Sequence, residues 1–172
     1  SQTGQYDKEM KAAEEKYGPV FAKFTSQDIK TVAANQEAKD MGQRLFLTYC
    51  AQCQGSDAKG NKGFPNLTDK DWLYGGDPVT IKATLDGGRN GVMPPMGEAL
   101  GGSDGVGFVV DYVRSLSGLA HDSIKAQRGK DLFATNCAAC HGADAKGTRA
   151  MGAPNLTDEV WLYGSSQATI TE

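Results

Sequence analysis

Long apolar runs are missing from this sequence. No stretch of its 172 residues approaches the ~18 consecutive apolar side chains that a membrane-crossing helix needs. The N-terminal SQTGQYDKEM lacks the basic start and apolar stretch of a secretion signal. The chain is therefore expected to be a mature protein or a soluble piece of something larger. A basic excess is missing too: 18 Lys and Arg against 21 Asp and Glu give a formal charge of −3, which excludes the electrostatic footprint of a nucleic-acid binder. Histidine is scarce, with only His121 and His141.

What the sequence has is glycine, 22 residues of it, and a repeat. The stretches CAQCQG, Cys50 to Gly55, and CAACHG, Cys137 to Gly142, align at an offset of 87. At that offset Gly42 meets Gly129, Leu45-Phe46 meets Leu132-Phe133, and Asp57-Ala58-Lys59-Gly60 meets Asp144-Ala145-Lys146-Gly147. Two further residues enter the second copy, and from there the offset is 89. Pro65-Asn66-Leu67-Thr68-Asp69 then meets Pro154-Asn155-Leu156-Thr157-Asp158, and Trp72-Leu73-Tyr74-Gly75 meets Trp161-Leu162-Tyr163-Gly164. A match of this length is a duplication, and each copy is expected to fold as a unit.

In the first unit, Met41, Leu45 and Phe46 predict a helix over 36–49 that runs straight into the cysteines. Phe108, Val109, Tyr112, Val113 and Leu116 predict a closing helix, capped by Ser103 or Asp104. Gly42 is expected to let Tyr112 of that helix approach closely. Residues 1–41 form a charged arm, with a helix over Tyr6–Tyr17 stopped by Gly18-Pro19 and a second short helix near a Ser26 cap. The expected organisation is an arm at 1–41, a first domain at 42–118, a linker at 119–125 and a second domain at 126–172. In the second copy the counterpart of Met93 falls beyond Glu172, so this domain is expected to be incomplete, with core surface left to be swapped or held by a partner.

Cys-x-x-Cys-His at a helix end is the pattern of covalent haem attachment. Two thiols three positions apart on one turn each reach a haem vinyl, and the next residue, His141, is placed to ligate the iron. The alternatives fit less well. Cys53 and Cys137 are 84 residues apart, whereas paired CxxC zinc motifs are separated by about 15–20 residues. The βαβ context of a redox dithiol is lacking, and simple disulfides stay open. The Cys50/Cys53 motif is weaker by itself, because Gln54 stands where His141 stands in its twin. GRNGVMPPMG supports it, since a methionine before proline some forty residues on offers a returning sulfur ligand. Met93 is the first choice and Met96 the second. Arg89 is placed to meet a haem propionate. Trp72, Tyr74, Trp161 and Tyr163 carry donors for the same purpose or serve as core residues with a polar tip. The Pro154 carbonyl can accept the second ring N–H of His141, with Leu156 against the haem. Pro65 stands ready to do the same for a residue 54 that has no imidazole. Three readings stand: Gln54 is a natural or engineered variant that leaves an attached but poorly ligated haem, it stands in error for histidine, or His121 steps in.

Together the tandem CxxC(H) lobes, PNLTD-x-x-WLYG, the VMPP loop and EEKYGP resemble the dihaem cytochrome c subunit of the cbb-type haem–copper cytochrome c oxidase, from about Tyr6 to Tyr163. The resemblance implies a mainly α fold of tandem cytochrome c domains and two covalent haem c groups on Cys50, Cys53, Cys137 and Cys140. It also implies His141 and Met93 as axial ligands. Its members carry a membrane anchor and work in the bacterial periplasm. They take electrons from a soluble cytochrome or a quinol-oxidising complex and pass them to the oxygen-reducing subunit. This sequence departs by its missing anchor, by its early end, and at Gln54. Two other classes remain: a dihaem peroxidase or small-ligand sensor with an open haem site, and a disulfide-bonded module that would be colourless.

Overall fold

Asp28, Asn35, Asp77, Asp122 and Ser166 each stand one residue before a helix, and each side chain accepts a backbone N–H from its first turn. These caps satisfy donors that a helix start leaves unpaired. They punctuate a chain that the computed structural model describes over residues 2–172. Nine α-helices are found among the described residues, with one 3-10 turn and no strand beyond two isolated bridges. The chain falls into two compact units, one ending at Gln52 and one beginning at Cys53.

The first unit holds α1 (Gln2–Thr25), α2 (Ile29–Ala34) and α3 (Gln36–Tyr49). The helix expected to stop at Gly18-Pro19 runs on through Pro19 to Thr25. Proline removes one i→i−4 bond, but α1 is exposed nearly throughout, so water can satisfy the freed Glu15 carbonyl. The short helix α2 is capped by Asp28, not Ser26. The helix predicted over 36–49 is α3, with those bounds. Among the described residues of this unit Phe24 is the one buried large apolar side chain. Lys23 pairs with Glu37 at 2.8 Å, an exposed contact that holds α1 to α3 with less than about 1 kcal/mol.

The second unit holds α5 (Pro78–Gly87), α6 (Ser103–Leu116), α7 (Ser123–Asn136), α8 (Ala138–His141) and α9 (Gln167–Thr171). A short α4 (Ala51–Gln54) spans the division. The closing helix α6 starts after Gly102 with no side-chain cap, so neither Ser103 nor Asp104 caps it. Its apolar face packs on α7. Val113, Phe133 and Ala145 are buried together, and Val109, Tyr112, Leu116, Leu156, Trp161 and Ile170 pack around them. The close approach of Tyr112 to a glycine, expected at Gly42, is made at Gly129. A Cβ there would lie 2.0 Å from Phe108 O and 2.9 Å from the Tyr112 Cβ. The closing helix of the first repeat thus covers the opening helix of the second. Buried Asp111 fastens it, accepting from Asp122 N at 2.9 Å and from Gln167 Nε2 at 3.2 Å. Arg114 donates to Ala120 O at 2.9 Å and to Ser165 O.

Candidate haem sites

The second cysteine motif begins where α7 ends. Cys137 closes that helix with φ −111° and ψ −29°. Its carbonyl accepts from Cys140 N at 3.2 Å and from His141 N at 3.0 Å, which winds the single turn α8. Gly142, at φ +82°, then reverses the chain, a conformation that an L side chain rarely adopts. Gly147 N donates back to His141 O at 2.8 Å and Leu156 N to Ala145 O at 2.8 Å. This compact loop carries Pro154 over the histidine. His141 is buried, 7% exposed, with its Nδ1 3.1 Å from Pro154 O. A carbonyl only accepts, so Nδ1 carries the proton and Nε2 holds the free lone pair. The Phe133 ring stands 6.4 Å from the imidazole and limits its rotation.

All four cysteines are free thiols. Burial, and secondarily Cys140, pushes the Cys137 thiol up from its ordinary value. A redox dithiol needs the opposite, a depressed pKa that exposes thiolate. Trp161 packs in the same cluster, and its Nε1 is buried without a hydrogen-bond partner. Leaving such a donor unmet costs about 1–3 kcal/mol. A haem propionate would supply the acceptor. Two thiols on one turn, a tautomer-locked imidazole and an orphaned buried donor are a set that fits haem c.

The first motif repeats this backbone. Cys50 closes α3 with φ −111° and ψ −31°. Gly60 N donates to Gln54 O and Leu67 N to Ala58 O, both at 2.8 Å. Its side chains behave differently. Gln54 is half-buried, and its Oε1 is buried with no hydrogen-bond partner. Cys53 and Pro65 are exposed, while Trp72 and Tyr74 are half-buried. Arg89 lies 5.0 Å over the Tyr74 ring, held by Thr84 Oγ1 at 3.0 Å and Thr80 O at 3.1 Å. The structure leaves Met93 74% exposed, Met96 half-buried and Tyr163 62% exposed. His121 is exposed, bonded through Nδ1 to Leu119 O at 2.7 Å in its own linker. The open pocket beside it is lined by Tyr112, Ser115 and Lys130, not by the first motif.

The structure therefore gathers Cys137, Cys140, His141, Pro154 and Trp161, and separately Tyr74 with Arg89. Arg149, on a 3-10 turn (Arg149–Met151), joins Tyr74 and Arg89 around an open pocket of about 490 Å³. Nothing in the sequence signalled Arg149. Gly129 was legible as the twin of Gly42.

A helical chain carrying two such thiol turns is a c-type cytochrome, and the comparisons with known proteins agree. The cytochrome c family matches residues 126–171, and the family described as cytochrome c oxidase, cbb3-type, subunit III matches residues 37–113. The chain is 52% identical over 162 residues to the cbb3-type cytochrome c oxidase subunit CcoP of Rubrivivax gelatinosus, covering 94% of this chain and 53% of the relative. To CcoP of Cereibacter sphaeroides it is 41% identical, covering 96% and 62%. To subunit FixP of Sinorhizobium medicae it is 44% identical, covering 78% and 50%. These relatives are named as cbb3-type oxidase subunits, and the mainly helical fold of the chain is that of tandem cytochrome c domains. It spans about half to three-fifths of the length of these curated relatives. Cytochrome c domains imply haem c, and both cysteine pairs fit its attachment. Among the described residues no helix is long and apolar enough to cross a membrane.

Proposed function

We propose that this chain is a c-type electron carrier of a cbb3-type cytochrome c oxidase, relaying electrons toward the oxygen-reducing subunit. Its two cytochrome c domains lie at 42–118 and 126–172, joined by a linker at 119–125 and preceded by a helical arm at 1–41. The observation that carries this reading is His141: buried beside the two thiols of its own turn, with Nδ1 held by Pro154 O and Nε2 left free. A haem bound there supplies a one-electron couple.

The chain's residues do the rest. Cys137 and Cys140 would hold the porphyrin, and Cys50 and Cys53 would do so in the first lobe. His141 would offer its Nε2 lone pair to the iron, with the ring held through Nδ1 by Pro154 O. Trp161, whose Nε1 is buried without a partner, would donate to a propionate, with Tyr163 in the same role. Arg89, Trp72 and Tyr74 serve the first haem in the same way, with Pro65 beside position 54. Met93 would be the sulfur ligand of that lobe. Partners are the other oxidase subunits, with a soluble cytochrome or a quinol-oxidising complex as donor. The place of work is the bacterial periplasm, with membrane attachment through an anchor of the kind that the family resemblance implies.

Intact mass of the denatured protein tests this, because thioether-bound haem survives denaturation. Two haem additions on a red protein are expected. A colourless protein without added mass would overturn the reading and favour two disulfides.

A further inference from the structure

Two guanidinium groups line one pocket of the second unit, and no carboxylate lines it with them. Arg89, Asn90, Tyr74 and Thr80 of the first repeat and Arg149 of the second enclose about 490 Å³ there. Arg89 is held in place from three sides. Its Nε donates to Thr84 Oγ1 at 3.0 Å, its Nη2 to Thr80 O at 3.1 Å, and its guanidinium carbon lies 5.0 Å from the centre of the Tyr74 ring. Its Nη1 has no partner among the described residues. Tyr74 also positions Arg149. Its hydroxyl rests against Gly152, where a Cβ would come within 2.3 Å of it. Gly152, left-handed at φ +65°, ends the 3-10 turn that carries Arg149. The Arg149 stem passes buried Gly75, with Cδ 4.0 Å from the place of a Cβ there. Asp77 Oδ2 lies 3.5 Å from the same place, but Asp77 accepts from Thr80 N at 2.9 Å and makes no ion pair. The Arg149 guanidinium makes no hydrogen bond or ion pair among the described residues.

We propose that the pocket between Arg89 and Arg149 is a binding site for a free dianion of the phosphate or sulfate type. Two cations on one pocket repel each other, and a dianion offsets that repulsion more fully than a monoanion. The planar fork of a guanidinium matches paired oxygens of such an ion. Arg89 is fixed before the ion arrives, which lowers the ordering cost of binding. The site needs no haem at either cysteine motif. A haem propionate that reached Arg89 would compete with the ion, so the two sources are separable.

The test is titration calorimetry of the intact protein with inorganic phosphate and, separately, with sodium sulfate, at constant ionic strength so that screening stays fixed. One dianion per chain is expected from each salt. Arg149→Gln is expected to weaken binding at least about tenfold, the loss of one charged hydrogen-bonding partner. Arg149→Lys keeps the charge without the fork and should recover only part of that loss. Lys146→Gln removes an exposed cation of the same repeat that does not line the pocket, and should leave binding unchanged. Equal binding by the parent and Arg149→Gln would overturn the proposal, as would no binding of either salt. An equal loss in Lys146→Gln would overturn it too, by reducing the effect to diffuse surface charge. Binding that appears only after Cys50→Ser with Cys53→Ser would give the pocket to a haem propionate and overturn the free-ion site.

Discussion

The turns at Cys50–Leu67 and Cys137–Leu156 have nearly the same main chain and opposite interiors. Ala58 and Ala145 both sit in the left-handed region, at φ +59° and +57°. Asn66 and Asn155 both accept from the Thr two residues on, at 2.8 and 2.9 Å. Yet His141 is buried and hydrogen-bonded, and Gln54 is half-buried with an orphaned oxygen. The glycines, asparagines and helix ends set the loop, and they do so whether or not residue 54 or 141 is a metal ligand. Loop geometry and ligand chemistry are separable in this chain. A duplicated motif can keep the first while losing the second.

The largest contrast lies under the turns. Among the described residues Phe133 is the one large side chain fully buried, against Tyr112 at a ring separation of 5.3 Å, whereas its twin Phe46 is half-buried. Phe133→Ala is expected to cost about 3–5 kcal/mol and Phe46→Ala roughly 1–2 kcal/mol, read from urea unfolding of the holoprotein. Equal losses would break the comparison. It would also show that the first lobe owns a core as tight as the second. Gly129→Ala follows, expected to cost about 3 kcal/mol, the upper end of ordinary overpacking, because the added methyl meets the Phe108 backbone carbonyl. Hydrogen exchange along α6 and α7 would locate the loss.

Much of this was legible in the sequence because it was written twice. The repeat fixed the bounds of both lobes' motifs, and helical spacing predicted α3 with its ends. The proline that opens the repeated PNLTD segment marks the Pro154 carbonyl as the acceptor for His141, and the two stand 3.1 Å apart. What escaped was decided by packing or by solvent. Pro19 reads as a helix stop, but an exposed helix can leave one carbonyl to water, and α1 runs through it. Gly42 and Gly129 carry the same local signal, so no local pattern says which one receives Tyr112. Arg149 reaches the Tyr74–Arg89 pocket through a loop whose course only tertiary structure fixes.

The caps after the aromatic segments sharpen the comparison at lower energy. Asp77 caps α5 where its twin Ser166 caps α9. Hydrogen bonds from the Thr80 side chain, then from the Thr80 backbone, hold the Asp77 carboxyl below its ordinary value of 3.8. A depressed carboxylate stabilises above that ordinary value, and the contribution disappears as pH falls through the folded-state value. Amides in the first turn of α5 are therefore expected to lose exchange protection below pH 3.8, while those of α9 stay level. Asp77→Ser should flatten the α5 profile. An α9 that loses protection in parallel would mean that acid acts through the whole unit and not through the cap.

The smallest difference is at the left-handed alanines. A non-glycine residue there costs roughly 1–2 kcal/mol, and replacing it with glycine returns part of that, less about 0.5–1 kcal/mol for the freer unfolded chain. At Ala58, half-buried, little packing opposes the gain, and Ala58→Gly is expected to stabilise by roughly 0.5 kcal/mol. Ala145 is 1% exposed in the core with Phe133 and Val113, so its methyl is worth about 0.8 kcal/mol of burial. Ala145→Gly should therefore be neutral or slightly destabilising. The two substitutions relieve the same backbone strain, so the difference between their urea midpoints measures the burial of one methyl group. A difference near zero would mean that the first turn, despite its exposed surroundings here, holds its alanine as tightly as the second.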